Sequence, residues 1–316
     1  MYKAGSRRVF SLQVRFWGVR GSIPSPGLTT GKYGGNTACV ELRVGEQDRV
    51  IIIDAGSGIR ALGNALMADV SADKPVKAEI FLSHTHWDHI MGYLFFAPVY
   101  SVDASIKVYG PVTFEDDPLE DVVGGQMKYR YFPVNLGELS ADIEYIRLNE
   151  SPSINLGDGL QLATKLLNHP LTALGYRFEY DGKVVCTCFD TEPFRNLFIT
   201  DSNDPDYDEA MAAEGEQVAA EMNMIAEQFF AGADLLIHDA HYTEEEYTER
   251  VNWGHSSIEY AIGAANRAGV KKLALFHHDP DRTDQQLDDF TEEFCTPGRS
   301  GDTEVFFARE GMVVKL

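Results

Sequence analysis

Three imidazoles and one carboxylate fall within six residues of Ser83-His84-Thr85-His86-Trp87-Asp88-His89, directly after the apolar Phe81 and Leu82. Imidazole nitrogen and carboxylate oxygen are the donors that bind Zn²⁺ and similar divalent ions at neutral pH. A strand ending at Ser83 would deliver these side chains into the loop above a sheet edge, where they can converge. The spacing His-x-His-x-Asp-His is more than one ion needs: His84 and His86 can serve one, while Asp88 and His89 face a second. The bland alternative is a solvated His-rich loop. It fits poorly with a chain that has only nine histidines in all.

The other six histidines are His169, His238, His241, His255, His277 and His278, and most close an apolar run as His84 does. Leu166-Leu167-Asn168-His169 ends one run, Leu273-Ala274-Leu275-Phe276-His277 another, and Val184 to Phe189 ends in Asp190. A lone terminal histidine is more often a surface residue than a ligand. Their recurrence matters because strand ends on one side of a sheet gather into one site. A dinuclear centre needs about seven protein ligands, one of them a bridging carboxylate. His84, His86 and His169 supply one ion, Asp88, His89 and His277 the other, and Asp190 the bridge. The choice between His277 and His278 rests on which residue closes the strand. His277 is favoured, leaving His278 beside the ligands or facing substrate.

The elements that must position these residues alternate between strands and helices. Val9 to Trp17 alternates apolar and polar residues, as a half-buried strand does. Gly18 to Gly35 is a shaped Gly- and Pro-containing loop, followed by strands at Thr37 to Val44 and Arg49 to Asp54. A helix runs from Gly56-Ser57-Gly58 to about Met67, a buried strand from Glu79 to Ser83, and a helix starts within Asp88 to Phe96. Ser105 to Tyr109 is a strand, and the irregular 111–135 reads as a lid or excursion. Further strands are expected at Glu144 to Leu148, Leu160 to Leu167, Gly175 to Tyr180, Lys183 to Cys188, Leu235 to His238, Lys272 to Phe276, Thr303 to Ala308 and Gly311 to Leu316. Asp201 to Phe230 begins acidic and becomes helical, with Val218, Met222, Ile225 and Phe229 on one face; 195–230 is a second expected excursion. A helix is expected from Ser256 to Ala268. No fixed short repeat divides the chain, so one domain over 9–316 is expected, with two sheets facing each other and helices outside.

Composition narrows the function. With 44% hydrophobic residues the chain can bury a sizeable core, and its net charge of −22 repels nucleic-acid backbones and anionic membranes. Cys39, Cys186, Cys188 and Cys295 are too few and scattered for a disulfide framework. Cys186 and Cys188 fit one face of a half-buried strand better than a Cys-x-Cys metal site. Met1 to Arg8 is basic and leads into an alternating run, unlike a signal peptide, and no apolar run is long enough to span a membrane. A reducing cytoplasm fits these features.

The His-x-His-x-Asp-His signature, with Asp54, His169, Asp190 and His277, resembles the metallo-β-lactamase fold superfamily. Ile237-His238-Asp239-Ala240 followed by Trp253-Gly254-His255-Ser256-Ser257 is similar to paired motifs of the ribonuclease Z-like phosphodiesterase branch. Arg20-Gly21-Ser22-Ile23-Pro24 and Tyr33-Gly34-Gly35-Asn36-Thr37 look like bacterial phosphoribosyl 1,2-cyclic phosphodiesterase-like and cyclic-nucleotide phosphodiesterase members. The resemblance implies an α/β, four-layer αββα sandwich, two divalent ions (Zn²⁺ first, Mn²⁺ second) and a homodimer. Two departures stand out. No Lys/Arg-rich insertion matches the tRNA-holding arm of ribonuclease Z, and Asp239 stands where that branch has glutamate, followed by an extra His241.

The chemistry so implied is phosphodiester hydrolysis, with water activated between two ions roughly 3.5 to 4 Å apart. Asp88 binds metal and orients the nucleophile. His255, held by Asp239, protonates the leaving alkoxide; the competing reading of His255 is a buried structural histidine. Ser22 and Asn36 are candidate phosphate contacts, though such residues also form ordinary turns. The leading expectation is hydrolysis of a small cyclic phosphodiester, a nucleoside cyclic monophosphate above all, with nucleic acid and membrane disfavoured as partners. The alternatives are tRNA 3′ processing, phosphoribosyl 1,2-cyclic phosphate hydrolysis, and a non-catalytic metal-binding scaffold.

Overall fold

The computed structural model describes residues 11–71 and 74–316. The expectations for Met1 to Arg8, and for Val9 and Phe10 in the first strand, lie outside them. The first sheet is built from β1 (Leu12–Gly18), β2 (Cys39–Val44), β3 (Arg49–Ile53), β4 (Lys77–Phe81), β5 (Ser105–Pro111), β6 (Asp142–Leu148) and β14 (Val313–Lys315), in the order β14-β1-β2-β3-β4-β5-β6. The second holds β7 (Ser151–Gly157), β8 (Leu160–Leu166), β9 (Leu174–Tyr180), β10 (Lys183–Cys188), β11 (Leu235–Asp239), β12 (Lys272–Phe276) and β13 (Glu304–Phe307), in the order β13-β12-β11-β10-β9-β8-β7.

Alternation along the strands explains the layering. In β1, Leu12, Val14 and Phe16 are buried and face a core shared with Ile51, Ile53, Phe81, Phe178, Val185, Ile237 and Phe276 from both sheets. The opposite faces are covered by helices. On the first sheet, Ile59, Leu62 and Leu66 of α1 (Ile59–Ala68) pack with Ile52, Ile80 and Val108. On the second, the apolar stripe of a helix at Ile258–Arg267 packs with Cys186, Cys188, Leu236 and Leu273. The result is a four-layer αββα sandwich. Cys186 and Cys188 do share one face, and that face is a dry core layer.

Parallel pairing puts the functional ends together. β3, β4 and β5 run parallel, as do β10, β11, β12 and β13, so within each set the C-terminal ends lie along one edge. β8 is antiparallel to β9, and β9 to β10, so β8 also ends on that edge.

Several boundaries differ from the sequence reading. The helix expected within Asp88 to Phe96 is a single turn, α2 (Trp87–Ile90), after which the chain continues in two 3₁₀ turns. Pro98, in the second of those turns, lacks the N–H an α-helix needs. β7 was not expected; its exposed side chains alternate with half-buried Ile154 and Leu156, and a register irregularity blurs the pattern. The stretch 111–135 contains α3 (Leu119–Gly124). The acidic stretch becomes α4 (Glu209–Phe229), capped by Asp208 accepting from the Met211 N–H. Its buried positions are Gly215 and Ala219, whereas Val218, Met222 and Ile225 are exposed. Small residues let this helix lie close, and they outweigh the larger apolar face. Three helices follow before the last strands: α5 (Glu244–Tyr247), α6 (Ile258–Arg267) and α7 (Asp284–Phe294); α8 (Pro297–Ser300) is one turn. No helix among the described residues is long and apolar enough to cross a membrane.

Candidate metal centre

Several strands that end on the shared edge lead directly to polar side chains of one site. Beyond β4 come His84, His86, Asp88 and His89; beyond β8, His169; beyond β10, Asp190; and beyond β12, His277. Asp54, Asp190 and His277 have φ of 62°, 41° and 60°, a left-handed backbone that non-glycine residues rarely adopt. Such strain, repeated at three strand ends, is held by the surrounding fold to aim side chains at a common point.

The expected ligating atoms fall into two clusters that share Asp190, and a third group of donors, Asp239, His241, His255 and His277, adjoins them through His277. Donor atoms of His84, His86, His169 and Asp190 lie within 4.8 Å of one another, and so do those of Asp88, His89, Asp190 and His277. In the first, His84 Nε2 is 3.4 Å from Asp190 Oδ2, and His86 Nδ1 is 3.2 Å from His169 Nε2. In the second, Asp190 Oδ1 is 3.2 Å from both His89 Nε2 and His277 Nε2, and Asp88 Oδ2 is 3.2 Å from the same two nitrogens.

Neighbouring groups fix which imidazole nitrogen faces inward. His89 Nδ1 donates to Asp54 Oδ2 at 2.6 Å, and Asp54 is itself held by the Ser83 N–H at 2.6 Å and hydroxyl at 2.7 Å. His169 Nδ1 donates to the Gly254 carbonyl at 3.1 Å. In each ring Nε2 is left for the cluster, the arrangement that makes histidine a directed ligand.

The residues fit a divalent cation on the evidence of what they leave unpaired. His84 Nε2 and Asp190 Oδ1 are fully buried and have no hydrogen-bond partner. Orphaned buried polar atoms are costly and rare. Here they converge with lone pairs of other rings, which a cation would satisfy. Electrostatics agree. Burial pushes His84 well below the usual imidazole range and His169 down to about 4, so both rings are neutral, the form that can bind a cation. His89 goes the other way: burial opposes its charge, but Asp190, Asp88 and Asp54 outweigh it and hold the ring well above its usual value. Asp88 and Asp190 stay far below the ordinary carboxylate range despite burial, because the imidazoles favour their charge.

His255 sits beside this centre. Its ring lies 5.0 Å from that of His277 and 5.9 Å from that of His169. Nδ1 donates to Asp239 Oδ2 at 2.9 Å. Burial lowers its pKa, but Asp239 above all, with Asp190 and Asp88, raises it to about 9, so the ring carries a proton at neutral pH. The aspartate in place of glutamate therefore still reaches the histidine. The same carboxylate accepts from the Thr191 and His241 N–H groups.

The three candidate substrate contacts are placed differently. Ser22 has an exposed side chain, and its N–H donates to Asp88 Oδ2 at 2.7 Å. Asn36 is engaged inside the loop, donating to Glu310 at 3.0 Å and accepting from the Ser57 hydroxyl at 3.0 Å. His278 is buried and donates from Nε2 to the Ala308 carbonyl at 2.8 Å. Only the strand-end residue His277 reaches the clusters.

Three groups had no role in the sequence reading. Glu192 is buried and accepts from the Tyr247 hydroxyl at 3.0 Å and the Asn252 and Gly254 N–H groups at 2.9 and 3.2 Å. It thereby pins the loop whose Gly254 carbonyl orients His169. Its place two residues after Asp190 was the available signal. His241 stacks on His255 with centroids 4.6 Å apart and donates to the His277 carbonyl at 2.8 Å. Glycine is required at two approaches: a Cβ on Gly21 would lie 2.4 Å from the His277 ring, and one on Gly254, at φ +83°, 2.2 Å from His169 Nδ1. The roomier cavities, about 470 and 530 Å³, open at the opposite ends of the strands, near Arg49 and Asp158, away from this chemistry.

Residues 33–188 match the model of the metallo-beta-lactamase superfamily. The ribonuclease Z of Lactococcus lactis subsp. lactis (strain IL1403) is 25% identical over 296 residues, covering 84% of this chain and 88% of that protein. A diphosphatase of the PhnP family superposes with a TM-score of 0.61 at 15% identity, covering 96% of this chain and 98% of its own. The short form of human tRNase Z does so at 0.59 and 21% identity, with the same coverages. These likenesses, on top of His/Asp clusters suited to divalent cations, show a metallo-beta-lactamase superfamily domain over residues 33–188 of a metal-dependent hydrolase, and are consistent with the ribonuclease Z-like branch.

Proposed function

We propose that the protein is a dinuclear phosphodiesterase that cleaves a ribonucleotide phosphodiester bond at an RNA 3′ end. The observation that carries the phosphodiesterase reading is the Asp239–His255 pair, protonated at neutral pH and set beside, not within, the two clusters. Hydrolysis of a phosphodiester must expel an alkoxide of high pKa, and a proton supplied at that oxygen is what such a pair provides. RNA as the substrate class is supported by the curated relatives, ribonuclease Z enzymes matched over most of their length.

His84, His86 and His169 would hold one cation and Asp88, His89 and His277 the other, with Asp190 shared. Divalent ions there supply water activation and neutralise charge on the phosphate oxygens. The chain's own residues do the rest. Asp54 and Ser83 keep His89 aligned, the Ser22 N–H restrains Asp88, and His255 Nε2 presents a proton while Asp239 holds its ring. In this reading both sheets form one domain around a shared core, and the four free cysteines suit a reducing cytoplasm.

A second reading, hydrolysis of a small cyclic phosphodiester, is favoured by the net charge of −22, which penalises a long polyanion. One comparison separates the two: a tRNA precursor with a 3′ trailer against cyclic nucleotides and phosphoribosyl 1,2-cyclic phosphate, each with Zn²⁺ or Mn²⁺. Trailer removal with the cyclic diesters untouched supports the first. Turnover of a cyclic diester alone replaces it with the second.

A further inference from the structure

A polyanion-cutting site on so acidic a protein needs a source of affinity other than charge, and the surface around the clusters offers one. Trp87 lies between His86 and Asp88 in the chain and is 68% exposed, although Asp88 and His89 are buried. Trp253 directly precedes Gly254, whose carbonyl orients His169, and is 62% exposed. Leaving two tryptophans in water forgoes the gain of burying them. Neither is needed to complete the core.

A third surface lies beside the turn that carries Trp87. Gln126 Nε2 donates to the Ile90 carbonyl at 3.0 Å, and Phe132 packs edge-on against Phe95 at 5.5 Å. These contacts seat residues 126–132 on the turn that follows His89. Between the two anchors stands Lys128-Tyr129-Arg130-Tyr131, all four exposed. The Tyr129 hydroxyl donates to Glu138 Oε2 at 2.7 Å, which holds that ring in place. Alternating cations and aromatic rings is the pattern that binds single-stranded nucleic acid, with rings stacking on bases and cations tracking the backbone.

We propose that Trp87 and Trp253 stack on the bases flanking the scissile phosphate of a single-stranded RNA end, and that Lys128 to Tyr131 takes the adjoining nucleotides. Stacking is unaffected by the protein's net negative charge, so it replaces the basic arm the chain lacks. The inference rests on the phosphodiesterase reading and adds to it the determinant of substrate choice.

The test uses metal-loaded protein and two oligoribonucleotides, one intact and one abasic beside the cleaved bond. Wild type should prefer the intact strand in kcat/KM. Trp87→Ala and Trp253→Ala should each reduce that preference about tenfold, and Trp87→Phe should keep most of it. A preference unchanged in both alanine variants overturns the proposal. A second readout does not depend on cleavage. The chain has three tryptophans, and Trp17 is bonded to Glu41, so quenching of fluorescence by a mononucleotide should come from Trp87 and Trp253. Loss of quenching in the Trp87→Phe/Trp253→Phe double variant supports stacking even if no RNA is cut, in which case the RNA reading fails alone. Equal quenching by nucleotide and by ribose 5-phosphate overturns the stacking proposal itself.

Discussion

The two ligand clusters share Asp190 but differ in every other respect. The outer one, of His84, His86 and His169, is built on neutral rings, and His86 stands exposed at its rim. The inner one, of Asp88, His89 and His277, is wholly buried, with Asp54 behind it adding a further carboxylate. Its carboxylates favour positive charge strongly enough to hold the His89 ring well above its usual pKa against burial. A divalent ion should therefore bind more tightly inside and exchange more readily outside. The difference teaches that one superficially symmetric motif, His-x-His-x-Asp-His, opens to solvent only at His86, while His84, Asp88 and His89 are buried.

Asp190→Ala should break both halves at once. Phosphodiester hydrolysis is expected to fall by about 10⁴ or more in steady-state assays, because each cluster loses its shared carboxylate. His255→Ala should leave both clusters intact and cost about 10² to 10⁴ in kcat on an alkoxide-leaving substrate. The loss should be much smaller with a p-nitrophenolate leaving group, which needs no proton. In wild type the proton His255 would donate is present below its pKa of about 9 and lost above it, so kcat should decline as pH rises through that value. Asp239→Asn should move the decline to lower pH.

Asp54→Asn sharpens the comparison further, since Asp54 bonds directly to His89 of the inner set and reaches the outer His84 only through the Ser83 hydroxyl. Metal affinity there should weaken about 10- to 100-fold with the outer ion little changed, as read by competition with a chelator. Glu192→Gln is the mildest case and acts on the outer side. By loosening the loop that carries Gly254 it should free His169, lowering outer-site affinity at the low end of the same roughly 10- to 100-fold range.

Much of this was legible in the chain. The residues of both clusters could be picked out as histidines and aspartates closing apolar runs, because parallel strands end on one edge and each strand is a short buried run. Residues that support a ligand through one hydrogen bond carry no periodic signal. Glu192 follows Asp190 in an ordinary loop, and only the fold shows that its carboxylate reaches Asn252 and Gly254. Asn36 illustrates the reverse. It sits in a Gly-rich loop where a phosphate contact is reasonable, yet Glu310, 274 residues away, occupies its amide. The packing of α4 was hidden for a different reason: Gly215 and Ala219 bury by being small, which a search for large apolar residues passes over.

The decisive measurement is the number of divalent ions held per chain by wild type, His86→Ala and Asp190→Ala after dialysis against a weak chelator. Two ions in wild type, one in His86→Ala and fewer than one in Asp190→Ala are expected. A wild-type protein that holds a single ion, with His86→Ala holding the same, would contradict two sites joined by Asp190.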